Sequence, residues 1–480
     1  MTIASDDSVL VRTPSPSSAR ACANIVSHPS ELNSNEIRAR LAAVEPLCLR
    51  TYTPTLAVLA KSAGSYHWTP EGRKLADFTS GVLVTNLGHN PTRWWQRVKD
   101  YLGLHNLKTA DEFLPAVTLN AYNAVTELET VCSERLVSLL RSQPGGGRCE
   151  QVLWAASGSE AIQKALWAAL ARRPGQDLIL ATRYGFHGKK GLAGAVTGCE
   201  TDRERDPRVK FIGFPRDECA SVARRKQPID LAPYRAELDR LWSEFGSRIC
   251  CLITEPYLGG GGSYHPQKEY LQLLGRFCRD HDLLFILDEV QANFGRTGSL
   301  FAFTEYGVEP DIVVLGKGLG NGVAVSAAVG RADVFAALAY GEGSDTWSAN
   351  PLACAAVLAT LDEFQSSDVL ARSRELSRVI ERGLLRLAEL PAVANIRGEG
   401  VVWGVECRAV GQRTAEEVAG ACVQACYLGD ARGRAIHLLG PLAGKVIRVS
   451  PPLVMPPAEA TDYLDAMHGL FSAVGSRTTN

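Results

Sequence analysis

The sequence has no surplus of positive charge. Lysine and arginine number 51 against 52 aspartates and glutamates, a formal net charge of −1. Such a balance gives no electrostatic drive toward nucleic acid or an acidic membrane surface. No apolar run reaches the roughly 18–20 residues that span a bilayer. The opening MTIASDDSVLVRTPSPSSARACANIV lacks the basic-then-apolar layout of a secretory signal, and Asp6 and Asp7 count against a transit peptide. Residues 1–25, rich in serine and proline, read as a flexible tail. The 13 cysteines contain no CxxC, with Cys422 and Cys426 the nearest approach, and HExxH is absent. A disulfide framework or a zinc motif is therefore not expected, and reduced thiols in a cytoplasmic protein are. There is also no internal repeat.

What remains is an ordinary globular composition over 480 residues, 46% hydrophobic and 21% charged. That length suits about three domain-sized units, or one large α/β domain with a smaller partner. Apolar runs alternate with helical patterns from about Cys149. QVLWAA (151–156), LILAT (178–182), RICCLIT (248–254), LLFILDE (283–289) and DIVVLGK (311–317) read as strands. Between them, SGSEAIQKALWAALARR and EYLQLLGRFCRDHD carry helical periodicity. Near-continuous apolar strands separated by helices predict an α/β fold with a mostly parallel sheet covered on both faces. Ligands in such sheets sit beyond the carboxyl ends of the strands. Residues 75–345 are expected to form this large domain. From residue 346 to 480 the pattern becomes long helices and isolated strands, a smaller α+β domain with which residues 26–74 are expected to pack. Within these segments, LADFTSGVLVTNLGHNP reads as a strand then a loop, and IRGEGVVWGVE and VIRVSPPLVM as single strands.

Four groups at strand ends carry chemistry. Lys317 lies between Gly316 and Gly318 at the end of an apolar strand. Burying an ammonium is costly unless its pKa falls or the amine is used covalently. A loop lysine is the plain alternative, and a phosphate loop would need Ser or Thr where Gly318 stands. The covalent use is a Schiff base with an aldehyde cofactor. Asp288 and Glu289 close LLFIL; an ion pair is the plain reading. A pyridoxal phosphate site, however, needs a carboxylate opposite the pyridine nitrogen. Ser157-Gly158-Ser159 joins a strand to a helix, either a simple N-cap or an anion cup. Phe186 and His187 follow LILAT, where an aromatic can stack on a flat ring or simply fill the core.

Taken together, these motifs resemble the class III (subgroup II) aminotransferases, fold type I pyridoxal-phosphate enzymes. The resemblance runs from about Thr51 to Ala473. It rests on LDEVQANFGRTG, PDIVVLGKGLGNG, SGSEAIQKAL, TWSANPLACAA, IRGEGVVWGVE and RVSPPL. It implies pyridoxal 5′-phosphate as cofactor, with Lys317 as the Schiff-base lysine and Asp288 on the ring nitrogen. Val290 and Phe186 would flank the ring, with His187 beside it. Gln291 would lie near the ring hydroxyl, and Gly158 and Ser159 would hold the phosphate. Thr346 would reach the phosphate in a partner subunit, which implies a homodimer with shared active sites. Arg448 would bind a substrate carboxylate. Two departures stand out. Gly260 occupies the position where ω-amino-acid members often carry a glutamate that covers this arginine, and GSD precedes Thr346 in place of the usual His-Gly. The implied reaction moves an amino group from an amino acid, α or ω, or an amine to a 2-oxo acid acceptor. Decarboxylation-dependent transamination and racemisation share the scaffold, and a non-enzymatic binding protein of this fold would need neither Lys317 nor Asp288.

Overall fold

Branched and aliphatic runs become strands wherever both of their faces can be covered. A computed structural model describes residues 26–49, 51–104, 112–202, 205–441 and 443–476; the expected tail, 1–25, lies outside the described residues. Along the chain the strands are β1 (Lys61–Ala63), β2 (Tyr66–Trp68), β3 (Lys74–Asp77), β4 (Gln151–Ala155), β5 (Leu178–Thr182), β6 (Val209–Ile212) and β7 (Ile249–Thr254). They continue with β8 (Leu284–Asp288), β9 (Ile312–Leu315), β10 (Ser326–Gly330), β11 (Val393–Glu399), β12 (Val402–Cys407), β13 (Ala435–His437) and β14 (Val446–Val449).

The central sheet has seven strands in the order β4-β10-β9-β8-β7-β5-β6. β9, β8, β7, β5 and β6 run parallel, whereas β10 is antiparallel to both β9 and β4. Every residue of β5, β7, β8 and β9 is buried. Alternate residues face opposite ways. Ile179, Ile253, Ile286 and Val314 join the helix Gly158–Arg172 on one side. Leu180, Leu252, Phe285 and Val313 join the helix Lys268–Asp280 on the other. This two-sided cover is why these strands read as unbroken apolar runs.

Two smaller sheets flank it. The order β1-β2-β3-β13 ties residues 61–77 to a strand near the C-terminus, and β11-β12-β14 is antiparallel. Helices Val369–Leu385, Ala415–Leu428 and Pro457–Ser476 share a second core with them.

Three details differ from the sequence expectation. IRGEGVVWGVE is a hairpin, β11 and β12, turning at Gly400 with φ +54. VIRVSPPLVM is strand only to Val449, because Pro451 and Pro452 have no N–H for a ladder. Third, after β3 the chain enters a left-handed turn in which Ser80, Gly81, Val82 and Leu83 all have positive φ. Such backbone is costly for residues with a Cβ and persists where surroundings over-determine it. Ser80 Oγ donates to Ser450 O at 2.8 Å and accepts from Arg296 Nη2 at 3.1 Å. Packing of the larger core also continues past residue 346. The helix Pro351–Ser366 buries Trp94 and Leu136 contacts through Ala355, Ala359, Val357 and Leu358.

Candidate active site

The parallel register aligns the ends of three neighbouring strands. Thr254 pairs with Leu287, so Glu255 and Asp288 emerge side by side past β7 and β8. Asp288 pairs with Val314 on β9, three residues before Lys317. Lys317 has φ +47, left-handed backbone for which a non-glycine residue is unusual. Its neighbours explain how the turn fits. A Cβ on Gly316 would lie 2.6 Å from Ser326 Oγ, and one on Gly318 would lie 2.5 Å from Asn86 Nδ2. Burial holds the Lys317 ammonium below the usual lysine range; Arg448 pushes the same way, and Asp288 and Glu255 oppose it.

Asp288 is held from two sides. Its Oδ2 lies 2.7 Å from His187 Nδ1, and its Oδ1 accepts from Val290 N at 3.0 Å. His187 Nε2 is buried without a hydrogen-bond partner. Val290 fits between Gly158, where a Cβ would come within 3.2 Å of Cγ1, and Gly316. The helix Gly158–Arg172 begins with a capping box between Ser157 and Glu160. Gly158 and Ser159 occupy its first turn, where N–H groups have no carbonyl ahead of them in the helix. Ser159 Oγ sits under Gly188, where a Cβ would be 2.3 Å away.

Glu255 joins the remaining members. Its Oε2 accepts from Phe186 N at 2.9 Å, and its Oε1 accepts from Gly259 N at 3.1 Å and faces Gln291 Nε2 at 3.5 Å. Burial, reinforced by Asp288, pushes its carboxyl up to about 7, against the pull of His187 and the two backbone N–H groups. Arg448, on β14, is buried; loss of water holds its guanidinium below the usual range. Its Nη2 donates to Gly259 O, while its Nε has no partner. Gly260 lies against Phe186, where a Cβ would be 2.8 Å from Phe186 Cβ and 3.2 Å from Cγ of its ring. A larger residue at 260 would have to displace that ring.

Of the residues given a cofactor or substrate role from the sequence, all but Thr346 fall in this one region, Lys317 through the strand register and its electrostatic coupling to Asp288, Glu255 and Arg448. Thr346 lies on an exposed loop, its carbonyl accepting from Asn120 Nδ2 at 3.3 Å. Glu255 received no role from the sequence. The signal was present, since it ends a buried strand parallel to the one that ends in Asp288. Arg296, within LDEVQANFGRTG, has no strand-end position to mark it in the sequence. It is buried and donates to Val401 O, Pro451 O, Ser80 Oγ and Asn86 Oδ1.

The donor set suits a flat, anionic aldehyde. An amine with a depressed pKa, a buried carboxylate, a helix N-terminus and an apolar valine converge, and His187 Nε2 and Gln291 Oε1 are buried polar atoms still lacking partners. Pyridoxal 5′-phosphate presents those features: an aldehyde for Lys317, a ring nitrogen for Asp288 and a phosphate for the helix terminus.

Comparisons with known proteins agree. The family model for aminotransferase class-III matches residues 48–471. Acetylornithine aminotransferase of Agrobacterium fabrum is 32% identical over 84% of this chain and 90% of its own. That of Oceanobacillus iheyensis is 28% identical over 91% of this chain and 98% of its own. Among solved structures, ornithine aminotransferase from Toxoplasma gondii superposes with a TM-score of 0.75 at 23% identity, covering 93% of this chain and 96% of that one; it shares the fold. The chain therefore belongs to the class III aminotransferases and is a pyridoxal-phosphate-dependent transaminase.

Proposed function

We propose that the amino donor is an amino acid whose carboxylate is gripped by Arg448, that Lys317 is the residue bound to the cofactor, and that a homodimer with shared sites is the active form. The observation that supports the donor reading most is the state of Arg448. Its guanidinium is buried with an orphan Nε, and its partner is the carbonyl of Gly259, not an acidic side chain. A carboxylate entering the site offers two oxygens to that fork, a stronger match than one carbonyl. Without a glutamate at 260 the arginine stays available to donor and acceptor alike. The relative named for acetylornithine is named for an amino acid, which fits this reading.

Bound pyridoxal phosphate supplies the electron sink that acidifies the carbon bearing the amino group. Lys317 Nζ, whose ammonium form burial disfavours, would take the proton from that carbon as general base. Asp288 holds a proton on the ring nitrogen, and His187 fixes the Asp288 carboxylate by the bond to Oδ2. Val290 fills one side of the site between Gly158 and Gly316. Gly158 and Ser159 orient the phosphate. The scattered cysteines, with no CxxC among them, fit a reducing, cytoplasmic setting.

The donor reading is tested with matched donors that differ only in a carboxylate. Arg448→Ala should lower kcat/KM for the acidic donor and for the 2-oxo acid by about 30- to ~1,000-fold, roughly 2–4 kcal/mol for a lost bidentate pair. The donor without a carboxylate should be nearly unaffected. Equal losses for both donors would make Arg448 structural. Lysine at this position should rescue poorly, because it offers a point charge and no fork.

Shared sites have their own test. Chains carrying Thr346→Ala, mixed with chains carrying Lys317→Ala, should regain part of wild-type turnover in isolated heterodimers, where one site has both residues intact. Verified heterodimers without recovery would contradict the shared site. The exposed position of Thr346, whose carbonyl accepts from Asn120, supports this reading.

A further inference from the structure

A second cluster of ligating side chains lies on one face of the sheet β1-β2-β3-β13. His67 on β2 pairs with Leu75, two residues before Asp77 on β3, and Asp77 pairs with His437 on β13. Since side chains two residues apart share a face, the two histidines and the aspartate point the same way. His89 is delivered by a two-way backbone bridge to Gly64, with N–O distances of 2.8 and 2.9 Å. One ligand atom each from His67, Asp77 and His89 lies within 4.8 Å of the other two.

The bonding around the cluster leaves a gap that ordinary hydrogen bonds do not fill. Asp77, fully buried, has Oδ1 occupied by Thr79 N and Thr79 Oγ1, both at 2.7 Å. Its Oδ2 faces His89 Nε2 at 2.7 Å and His67 Nε2 at 3.6 Å. His67 is 3% exposed, and its Nε2 has no hydrogen-bond partner. Its Nδ1 lies 2.7 Å from Ser62 Oγ. In the tautomer that donates its Nδ1 proton to Ser62, the Nε2 lone pair confronts a carboxylate oxygen, and a cation between them satisfies both. His437 Nδ1, also buried, has no partner either, and its ring meets His67 edge-on at 5.4 Å.

We propose that His67, Asp77 and His89 form a site for a divalent transition metal of the zinc class. Two imidazoles and one carboxylate oxygen are ligands this class accepts. Ligands at about 2.0–2.1 Å in a tetrahedron stand roughly 3.3–3.4 Å from one another. The gap to His67 already matches, and His89 has to withdraw from Asp77 by about 0.6 Å as it gives up its Nε2 proton. Ser62 and Thr79 act as the outer partners that orient His67 and Asp77. The metal would join β2, β3 and the segment entering at His89. It would sit just ahead of the left-handed turn that Ser80 anchors to Ser450 in the strand–loop carrying Arg448. None of these ligands belongs to the cofactor site.

The test uses the chelator-treated holoenzyme and Co2+ alone as probe. One equivalent per chain should bind with visible d–d bands beyond the cofactor's absorption, and Zn2+ should displace it. His67→Leu, outside the catalytic groups, should lose those bands while keeping its full cofactor content. Absence of Co2+ uptake by wild type would overturn the site. So would bands unchanged in His67→Leu, which would place the ion on thiols or on the cofactor. Should His67→Leu not fold, the wild-type spectrum decides. Nitrogen and oxygen donors give d–d bands alone, and thiolate charge-transfer bands would assign the ion to cysteine and reject the site.

Discussion

Lys317→Ala is expected to lower kcat by at least ~10⁴-fold, about 5.5 kcal/mol on the barrier at 1.36 kcal/mol per tenfold. The loss is large because one amine is asked to hold the cofactor and then to move the substrate's proton. No neighbour can stand in. Lys164, a buried lysine within the helix that starts at Gly158, donates to Trp154 O, Asp345 Oδ2 and Ser348 Oγ. Lys317 has no such commitment, and its ammonium is disfavoured by burial. The variant should keep its noncovalent hold on the cofactor, because Gly158, Ser159 and Asp288 are untouched. Single-turnover absorbance changes with an added amino donor measure the step, and a small primary amine in the buffer should restore part of the rate. Turnover within tenfold of wild type would remove Lys317 from catalysis.

Asp288→Asn should cost roughly 10²-fold or more in kcat, about 2.7 kcal/mol or above. The side chain keeps its shape and loses its charge, so it no longer holds a proton on the ring nitrogen. A second effect adds to this. Asp288 presents two acceptor oxygens, to His187 Nδ1 and to Val290 N, and an amide offers only one. His187 must then change tautomer or lose the bond, and Phe186 beside it loses part of its support. The pH dependence of the cofactor's absorbance and of kcat checks this together. A near-normal rate would leave Asp288 as a structural partner of His187 alone.

Much of this site is legible in sequence because its members terminate apolar strands. LLFILD and DIVVLGK announce Asp288 and Lys317 by a polar residue at the end of an unbroken run, and the register then sets them on adjacent strands. The same logic would have found Glu255 after ICCLIT, had the strand order been known; adjacency of β7 and β8 is a property of the sheet, not of either segment. The His187–Asp288 bond joins residues 101 apart and has no local signature. The left-handed turn at 80–83 was hidden because only Gly81 among its residues favours positive φ. Its stability comes from Arg296 and Ser450, which are distant in the chain. Packing of the helix Pro351–Ser366 against Trp94 likewise follows from tertiary contact and not from its own composition. Thr346 is exposed in the single chain, and its proposed part in a partner's site rests on the family resemblance and not on any local pattern.

Everything proposed for this site depends on Lys317 being the residue that bonds to pyridoxal phosphate, where three strand ends meet. Borohydride reduction of the holoenzyme, followed by digestion and mass mapping, tests it most directly. One phosphopyridoxyl group per chain is expected, on the peptide containing Lys317, and none in Lys317→Ala. A label on any other lysine of the wild-type chain, or no label on a fully loaded enzyme, would contradict it.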